Sequence, residues 1–475
     1  MNINEIKKLV KQSPKFKRVN DVLALTPVND PFYIQKNQIE KAEWFAEVWK
    51  REEAISDWED GLIHPRGLHY QILGKGDSFT IKIGGEDKKI TYQNTEQCWN
   101  YLEMGAKYSR LLGLVPYERI KDEQNPDPIG NPIFNDHNEF EVMEMKIYDD
   151  VMNFQLPYLL YDDTESFIEA RINKIIEVLF KDVSYSSRTE QPNYLEIWAE
   201  KSGVIPMSIA REFNAEVKPA GGGEFSVDMC FKAIEKAKKL DRDLHIFVLS
   251  DFDPKGMDMP KSVARKVEFI AKQLEATAFV HHVALTKEQC IKHSLPTVPA
   301  KIPKGDGTGY LTHIEIFKKF AGQDPTELNS FQAREPKIYK ETIRKAIEPY
   351  FDKELGNKFR EERKRLEESV REKLKVKFEE LREDLDKIRK IINNRFDKLN
   401  KVLEPIIKKK YGKLELDKHI EAYEELINFE VSEIIEDERF EFPNVIVESP
   451  KNALLDTRRS YLEQLAKYKE FDMRG

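Results

Sequence analysis

One segment, residues 244–256, restricts the fold of this chain more than any other. It reads Leu-His-Ile-Phe-Val-Leu followed by Ser-Asp-Phe-Asp-Pro-Lys-Gly. An apolar, partly β-branched run that is closed by a polar residue, Pro and Gly is typical of a buried strand that ends abruptly. Because side chains alternate along a strand, we expect Asp251 and Asp253 to point in the same direction at its end.

Two carboxylates at the end of a strand predict a cation site. Ligands of open α/β sheets bind at the carboxyl ends of the strands, and Mg²⁺ prefers one or two carboxylates together with waters or phosphate oxygens. A solvated turn is the alternative, since a chain with 85 acidic residues also contains Asp-x-Asp at 241–243 and 384–386. Neither of those two ends an apolar run. The strand before Asp251 and the Pro-x-Gly around Asp253 therefore favour a metal site.

Length, charge and cysteine content limit the class of protein. A chain of 475 residues is expected to form roughly two to four domains. Because its formal net charge is −8, a nucleic-acid partner would need a local patch of Lys and Arg. Three widely separated cysteines argue for a reducing compartment and against a disulfide framework or a zinc site. No apolar run approaches the length of a membrane span, so we expect a cytoplasmic protein without a membrane partner.

A short helix is predicted near the amino terminus, over residues 61–73. Pro65 lies near its first turn and Gly74 follows its end. On this helix Arg66 and Tyr70 are four residues apart and share a face. Tyr70 is either a buried phenol satisfied by its neighbour, or a nucleophile whose phenolate and target phosphate are stabilised by Arg66. From these residues alone the first explanation is favoured.

The residues that follow predict a module shaped like a winged helix. Two short strands, 78–83 and 89–92, flank a Gly-Gly turn, and a helix follows over 95–112. Short helices with a small hairpin are typical of winged-helix modules, which dock on DNA, although other small α+β units share this pattern.

A second strand is predicted at 194–199, and it also ends at a carboxylate, Glu200. A glycine-rich turn precedes a helix at 227–239, the strand 244–249 follows, and another helix is predicted over 259–274. This alternation predicts a parallel sheet with its acidic groups gathered at one edge.

The spacing and context of these acidic residues resemble the Toprim domain. Glu-Lys closes one strand, and Asp-x-Asp-Pro-x-Gly closes another 51 residues later. The Pro-x-Gly form is similar to the A subunit of the type IIB topoisomerase, topoisomerase VI, and to the related meiotic double-strand-break proteins. That family places a winged helix before Toprim, with its nucleophilic Tyr in an Arg-Asp-aliphatic-aromatic-Tyr motif. Residues 66–70 read Arg-Gly-Leu-His-Tyr, so Gly67 and His69 depart from the motif within a resemblance that covers roughly 60–300.

The resemblance implies Mg²⁺-dependent cleavage of DNA. Glu200, Asp251 and Asp253 would be the Mg²⁺ ligands. Tyr70, supplied by the partner in a homodimer, would be the catalytic nucleophile, and Arg66 would stabilise charge and position the phosphate. The product would be a reversible 5′-phosphotyrosyl link. Strand passage would need a separate ATPase partner, because the chain carries no Gly-x-x-x-x-Gly-Lys loop.

Two other functions are also compatible with these residues. A Toprim nuclease of defence or repair would use the same Mg²⁺ site with water as the nucleophile. A non-catalytic coiled-coil dimer would bind DNA or a partner through its winged helix and retain the acidic cluster for structure.

The carboxy-terminal part is predicted to contain a long coiled coil. From about 353 to 409 the composition shifts to Glu, Lys, Arg and Leu. Apolar residues recur there at alternating spacings of four and three, at Leu374, Phe378, Leu381, Leu385, Ile388 and Ile392. This period predicts a coiled coil, either between two protomers or against a helix at 419–435. The basic, amphipathic residues 440–475 are interpreted as a docking segment.

Together these features predict an α/β plus α protein. Its parts are a winged-helix-like amino-terminal domain, a Toprim domain with a parallel, Rossmann-like sheet, and long carboxy-terminal coiled-coil helices. The predicted boundaries are 1–118 for the helical and winged-helix-like domain, 119–190 for a connector, 191–352 for Toprim, 353–440 for the coiled coil and 441–475 for a tail.

Overall fold

The computed structural model of this chain describes residues 3–12, 16–56, 58, 62–83, 86–120, 128–130, 132, 163–180, 191–220, 224–300, 308–387, 389–391, 394, 398 and 443–472. The chain divides into two compact units. The first comprises residues 1–132, 192–351 and 447–475, and the second comprises 133–191 and 352–446. None of the helices in these described ranges combines the length and the hydrophobicity of a transmembrane segment.

Helices and a hairpin make up the amino-terminal part of the first unit. Their bounds are α1 (Ile3–Gln12), α2 (Lys36–Ile55), α3 (Pro65–Ile72), β1 (Ser78–Ile83), β2 (Glu86–Thr91) and α4 (Glu96–Leu111). The predictions of a short helix, a hairpin and a longer helix in this order are confirmed. Pro65 occupies the first turn of α3, and the His64 side chain caps the helix by accepting a hydrogen bond from the Arg66 N–H (3.0 Å).

The helices α2 and α4 pack closely in the core of this part. Phe45 and Trp49 of α2 are buried there. Gly105 of α4 permits the approach, because a Cβ at this position would lie 2.8 Å from the Phe45 Cβ and 2.9 Å from the carbonyl oxygen of Lys41. The aromatic residues of α2 therefore contribute to the core.

The remaining helices belong to both units, and those at residues 164–179 and 355–380 lie in the second. Their bounds are α5 (Thr164–Leu179), α6 (Met207–Glu212), α7 (Val227–Lys239), α8 (Pro254–Leu274), α9 (Lys287–Lys292), α10 (Thr308–Ala321), α11 (Leu328–Arg334), α12 (Pro336–Ile347), α13 (Leu355–Glu380) and α14 (Tyr461–Phe471). The start of α8 differs from the predicted position 259. The helix begins at Pro254 because Asp253 caps it, and Pro260 lies inside α8 without ending it.

A five-stranded sheet forms the centre of the first unit. Its strands are β3 (Asn193–Ala199), β4 (Glu216–Pro219), β5 (Asp243–Leu249), β6 (Ala278–Ala284) and β7 (Leu455–Asp456), in the order β4-β3-β5-β6-β7. Strands β4, β3, β5 and β6 are mutually parallel, and β7 is antiparallel to β6. The predicted mixed α/β class and parallel sheet are confirmed.

The central strands are buried along almost their whole length. All seven residues of β3 and residues 244–249 of β5 are buried. Both faces of such a strand are covered, which explains why the sequence of β5 is nearly continuously apolar instead of alternating. In the register of the two strands Ala199 lies opposite Leu249, so β3 and β5 end side by side.

The carboxy-terminal segment completes the first unit. Leu455 of β7 pairs with Val280 of β6 at the edge of the sheet. Tyr461 of α14 accepts a hydrogen bond from Arg265 of α8 (2.8 Å) and donates one to the carbonyl oxygen of Val22 (2.7 Å). The residues interpreted as a docking segment therefore contribute a strand and a helix that pack within their own chain.

In the second unit α13 packs against α5. The α13 residues Leu366, Val370, Leu374 and Phe378 are buried, and Arg371 donates a hydrogen bond to Asn173 Oδ1 (2.8 Å). Part of the apolar repeat from which a coiled coil is predicted is thus covered within the chain. The helix predicted at 419–435 lies outside the described residues.

Candidate functional site

The carboxyl ends of β3 and β5 form a topological switch point. From β3 the chain crosses to β4 on one side, whereas β5 lies on the other side and is followed by β6. A crevice opens at such a point in doubly wound sheets, and ligands bind there. Glu200 directly follows β3, and Asp251 and Asp253 follow β5 after Ser250. The fold therefore brings the three predicted metal ligands to one edge of the sheet, where such a crevice is expected, although they are distant along the chain.

Asp251 is held from two directions. The residue is 7% exposed. Oδ1 accepts a hydrogen bond from the backbone N–H of Leu328 (2.8 Å), at the start of α11, and Oδ2 accepts one from Nζ of Lys201 (3.0 Å). The orientation of this carboxylate is thus fixed by a neighbouring strand end and by a helix that lies far away in sequence.

Asp253 caps α8. Its Oδ1 accepts a hydrogen bond from the Gly256 N–H (2.6 Å), and Pro254 occupies the first helical position. Only glycine fits at position 256 without a steric clash, because a Cβ there would lie 2.1 Å from the carbonyl oxygen of Asp251. The Asp-Pro-x-Gly sequence therefore forms the turn that leads from the buried strand into the helix.

The three carboxylates repel one another. Burial and the neighbouring charges of Asp251 and Asp253 raise the pKa of Glu200 above its usual value. Burial, followed by the charge of Asp251, likewise raises the pKa of Asp253. Burial opposes the charge of Lys201, but its hydrogen bond to Asp251 raises the pKa of this ammonium. The crevice thus concentrates negative charge, which Lys201 partly balances.

The donor set fits a hard divalent cation. Carboxylate oxygens are the ligands that Mg²⁺ prefers, and a cation between them would relieve the repulsion that raises the pKa of Glu200. Within the described ranges, however, no group of three or more His, Cys, Asp or Glu side chains has the arrangement of a metal cage. The ion pair between Lys201 and Asp251 instead occupies one carboxylate oxygen.

The two residues predicted for nucleophilic chemistry lie on α3. Tyr70 is 64% exposed, which excludes its interpretation as a buried phenol. Its ring makes an edge contact with the ring of His69, with centroids 5.1 Å apart. The guanidinium of Arg66 lies over the ring of Trp99 at 5.6 Å. Among the residues that the structure describes, these contacts of Tyr70 and Arg66 are with the amino-terminal part of the chain, and none joins either residue to Glu200, Asp251 or Asp253.

The histidine that departs from the resembled motif has a structural role. His69 is buried, and its Nδ1 lies 2.7 Å from the hydroxyl of Tyr92. Its ring also packs edge-on against Trp99 at a centroid distance of 5.4 Å. At the position where the resembled motif has an aromatic residue, the His69 ring therefore packs as an aromatic ring would.

Two contributors to the crevice were not among the predicted site residues. Lys201 follows Glu200 directly in the sequence, so its proximity could have been inferred from the strand end alone. The contact of the Leu328 N–H could not have been inferred, because 77 positions separate Leu328 from Asp251 and nothing in the sequence around it signals the contact.

Comparison with protein-family models, with curated proteins and with solved structures found no match for this chain.

Proposed function

We propose that this protein cleaves DNA strands in a Mg²⁺-dependent reaction at the crevice between β3 and β5, in the manner of a Toprim enzyme resembling the topoisomerase VI A subunit. The observation that supports the proposal is the position of Glu200, Asp251 and Asp253 at the ends of neighbouring parallel strands, where the charges of the two aspartates act on Glu200. Bound there, Mg²⁺ would neutralise a phosphate and stabilise the leaving oxygen.

Residues of the protein itself would hold the cation and attack the phosphate. Asp251, oriented by the Leu328 N–H, and Glu200 and Asp253 would hold the cation. The exposed phenol of Tyr70 is accessible to a DNA strand. We propose that it loses its proton and attacks phosphorus, so that the 5′-phosphotyrosyl link forms while the bond to the 3′ oxygen breaks and that oxygen leaves as a hydroxyl. Because Tyr70 does not contact the carboxylates of its own chain in the described structure, the proposal requires a second protomer to supply it.

The geometry of the amino-terminal part supports DNA docking. The hairpin β1–β2 lies between α3 and α4 in sequence, as in a winged-helix module, and carries exposed Lys82, Lys88 and Lys89. Phosphate contacts from such lysines position a duplex without reading its sequence. We propose this surface as the one that places DNA near Tyr70.

A plasmid assay tests the covalent mechanism. The full-length protein is incubated with supercoiled plasmid and Mg²⁺, denatured with detergent, and analysed before and after protease treatment. We expect cleaved DNA that carries covalently bound protein. Tyr70→Phe should abolish the adduct, and Asp251→Asn should abolish cleavage itself. Cleavage by Tyr70→Phe at the wild-type rate would remove the covalent step from the proposal.

Hydrolysis is the second candidate function. It is favoured by the absence of a contact between Tyr70 and the carboxylates within the described residues, since water needs no second protomer to reach a metal-bound phosphate. A Toprim nuclease would release free DNA ends without an adduct and would retain activity as Tyr70→Phe. If neither Asp251→Asn nor Asp253→Asn changed cleavage or metal binding, the roles of these residues would be confined to orienting loops and capping α8.

A further inference from the structure

A second polar pocket lies beside the crevice. It encloses about 460 Å³ between the segment 20–29, the first turns of α8 and the side chain of Lys107 from α4. Its volume is within the range of pockets that hold small ligands. Lys255 lines this pocket and also acts electrostatically on Glu200 and Asp253, so the pocket adjoins the carboxylate crevice.

The charges of the pocket are incompletely balanced. Four lysines line it together with three carboxylates. Lys261 pairs with Asp472 (2.9 Å) and Lys266 pairs with Glu224 (2.7 Å). No hydrogen bond or ion pair engages the ammonium of Lys107 in the part of the chain that the structure describes. Its recorded contact is with the Tyr108 ring, at 5.5 Å.

Lys107 is placed where a bound anion would stabilise it. Burial, and then repulsion from Lys266, lower the pKa of Lys107 to about 8, whereas Glu224 acts in the opposite direction. Glu224 accepts a hydrogen bond from Lys266, whereas among the described residues no hydrogen bond joins it to Lys107. An anion bound at Lys107 would therefore offset the loss of hydration that burial imposes on this ammonium. The hydroxyl of Ser262, which also lines the pocket, already donates a hydrogen bond to Glu224 and is therefore not counted as a donor to the ligand.

The pocket also offers an apolar surface. Leu23, Leu25, Pro27 and Met259 line it beside the charged groups. Apolar side chains together with a few charged groups are typical of sites for ligands that carry both an aromatic ring and a charge. A phosphate joined to a nucleobase combines these two properties in a molecule of suitable size.

We propose that this pocket binds a 5′-phosphorylated nucleotide, with its phosphate at Lys107 and its base against the apolar wall. Both a free nucleoside monophosphate and the 5′-terminal nucleotide of a DNA strand present this chemistry. The inference goes beyond the proposed cleavage and stands without it, because the pocket does not include Glu200, Asp251 or Asp253.

Calorimetric titration of the full-length protein in the presence of a chelator tests the proposal. The probes are deoxyadenosine 5′-monophosphate, deoxyadenosine, and one short single-stranded oligonucleotide prepared with a 5′-phosphate or a 5′-hydroxyl. Lys107→Met removes the ammonium and keeps an apolar stem, so the fold should be retained. Lys50→Met, an exposed lysine on α2 outside the pocket, is the matched control.

We expect the phosphorylated probes to bind at least about tenfold more tightly than their unphosphorylated counterparts, and Lys107→Met to remove most of this difference. Lys50→Met and Asp251→Asn should bind like the wild type, which separates this site from the cleavage site. Binding of the monophosphate alone would identify a free nucleotide as the ligand, and binding of the 5′-phosphorylated strand alone would identify a DNA end. Absence of phosphate-dependent binding, or a phosphate preference that Lys107→Met leaves unchanged, would overturn the proposal.

Discussion

At the scale of single residues, the crevice is organised by contacts that each serve two purposes. Asp251 receives a helix N–H and a lysine ammonium, while Asp253 caps the helix that starts beside it. A carboxylate that is fixed in this way is preorganised for a ligand, and it also stabilises the fold. Substitution of residues around the carboxylates, which leaves the carboxylates in place, distinguishes their role in ligand binding from their role in stability.

Lys201 is expected to compete with a metal ion for Asp251. Lys201→Gln removes the cation that lies 3.0 Å from Asp251 Oδ2 and leaves the crevice more negative. Because ion pairs of this partly exposed kind contribute about 0.2 to 1 kcal/mol, we expect Mn²⁺ to bind the variant up to about fivefold more tightly. Electron paramagnetic resonance of free Mn²⁺ measures this affinity, with Lys50→Gln as the control. Weaker binding by Lys201→Gln would show instead that Lys201 supports the site.

Gly256 is expected to tolerate no side chain. Gly256→Ala would place a Cβ 2.1 Å from the Asp251 carbonyl oxygen, and backbone atoms cannot move away as a flexible side chain can. We expect a loss of about 3 kcal/mol in the free energy of unfolding, measured by urea denaturation. The matched control is Gly203→Ala, because nothing lies within 4 Å of a Cβ at that position. Equal stability of the two variants would contradict the close approach.

At the scale of elements, α8 connects the crevice to both ends of the chain. Arg265 of α8 is fully buried and contacts Asp30 (3.1 Å), Glu268 (2.8 Å) and the hydroxyl of Tyr461 in α14 (2.8 Å). The guanidinium also lies 4.0 Å from the centroid of the Phe32 ring. Three segments that are far apart in sequence therefore meet on one helix, whose amino terminus carries Asp253.

Removal of the Arg265 charge is expected to be strongly destabilising. Arg265→Met leaves the carboxylates of Asp30 and Glu268 buried without this partner, which typically costs about 3 to 5 kcal/mol. Chemical denaturation measures the loss. The triple variant with Asp30→Asn and Glu268→Gln should recover part of it, because the unpaired charges are then gone. Failure of the triple variant to recover any stability would assign the loss to packing.

At the scale of the whole molecule, the first unit is assembled from three stretches of chain. Residues 447–475 contribute β7 and α14 to a unit whose other strands end at residue 284. The sheet edge at β6 is covered by this late strand, and an uncovered edge offers unpaired backbone groups to other chains. The carboxy-terminal segment is therefore part of the fold that supports the crevice.

Deletion of residues 451–475 tests this role. The truncated chain would expose the edge of β6 and remove Tyr461 from Arg265. We expect it to aggregate or to unfold at a temperature many degrees lower, as followed by light scattering during heating. Deletion of residues 473–475 alone is the control. A truncated protein as stable as the full chain would show that β7 and α14 are dispensable.

Local sequence by itself determined the elements that carry the site. The apolar run and the Asp-x-Asp-Pro-x-Gly sequence predict a buried strand, its abrupt end and two carboxylates there, because burial and turn geometry depend on neighbouring residues. The parallel sheet follows from the alternation of strands and helices. The short edge strands β4 and β7 were missed, since neither has enough residues to show a period.

Only the tertiary structure decided which groups surround these carboxylates. The strand order places β3 beside β5, the start of α11 supplies an N–H to Asp251, and Tyr70 is exposed on α3 instead of buried. Likewise, Lys107 and Lys266 face one pocket from different helices. Contacts of this kind join residues that are remote along the chain, and they depend on how whole elements pack, which no local pattern of side chains records.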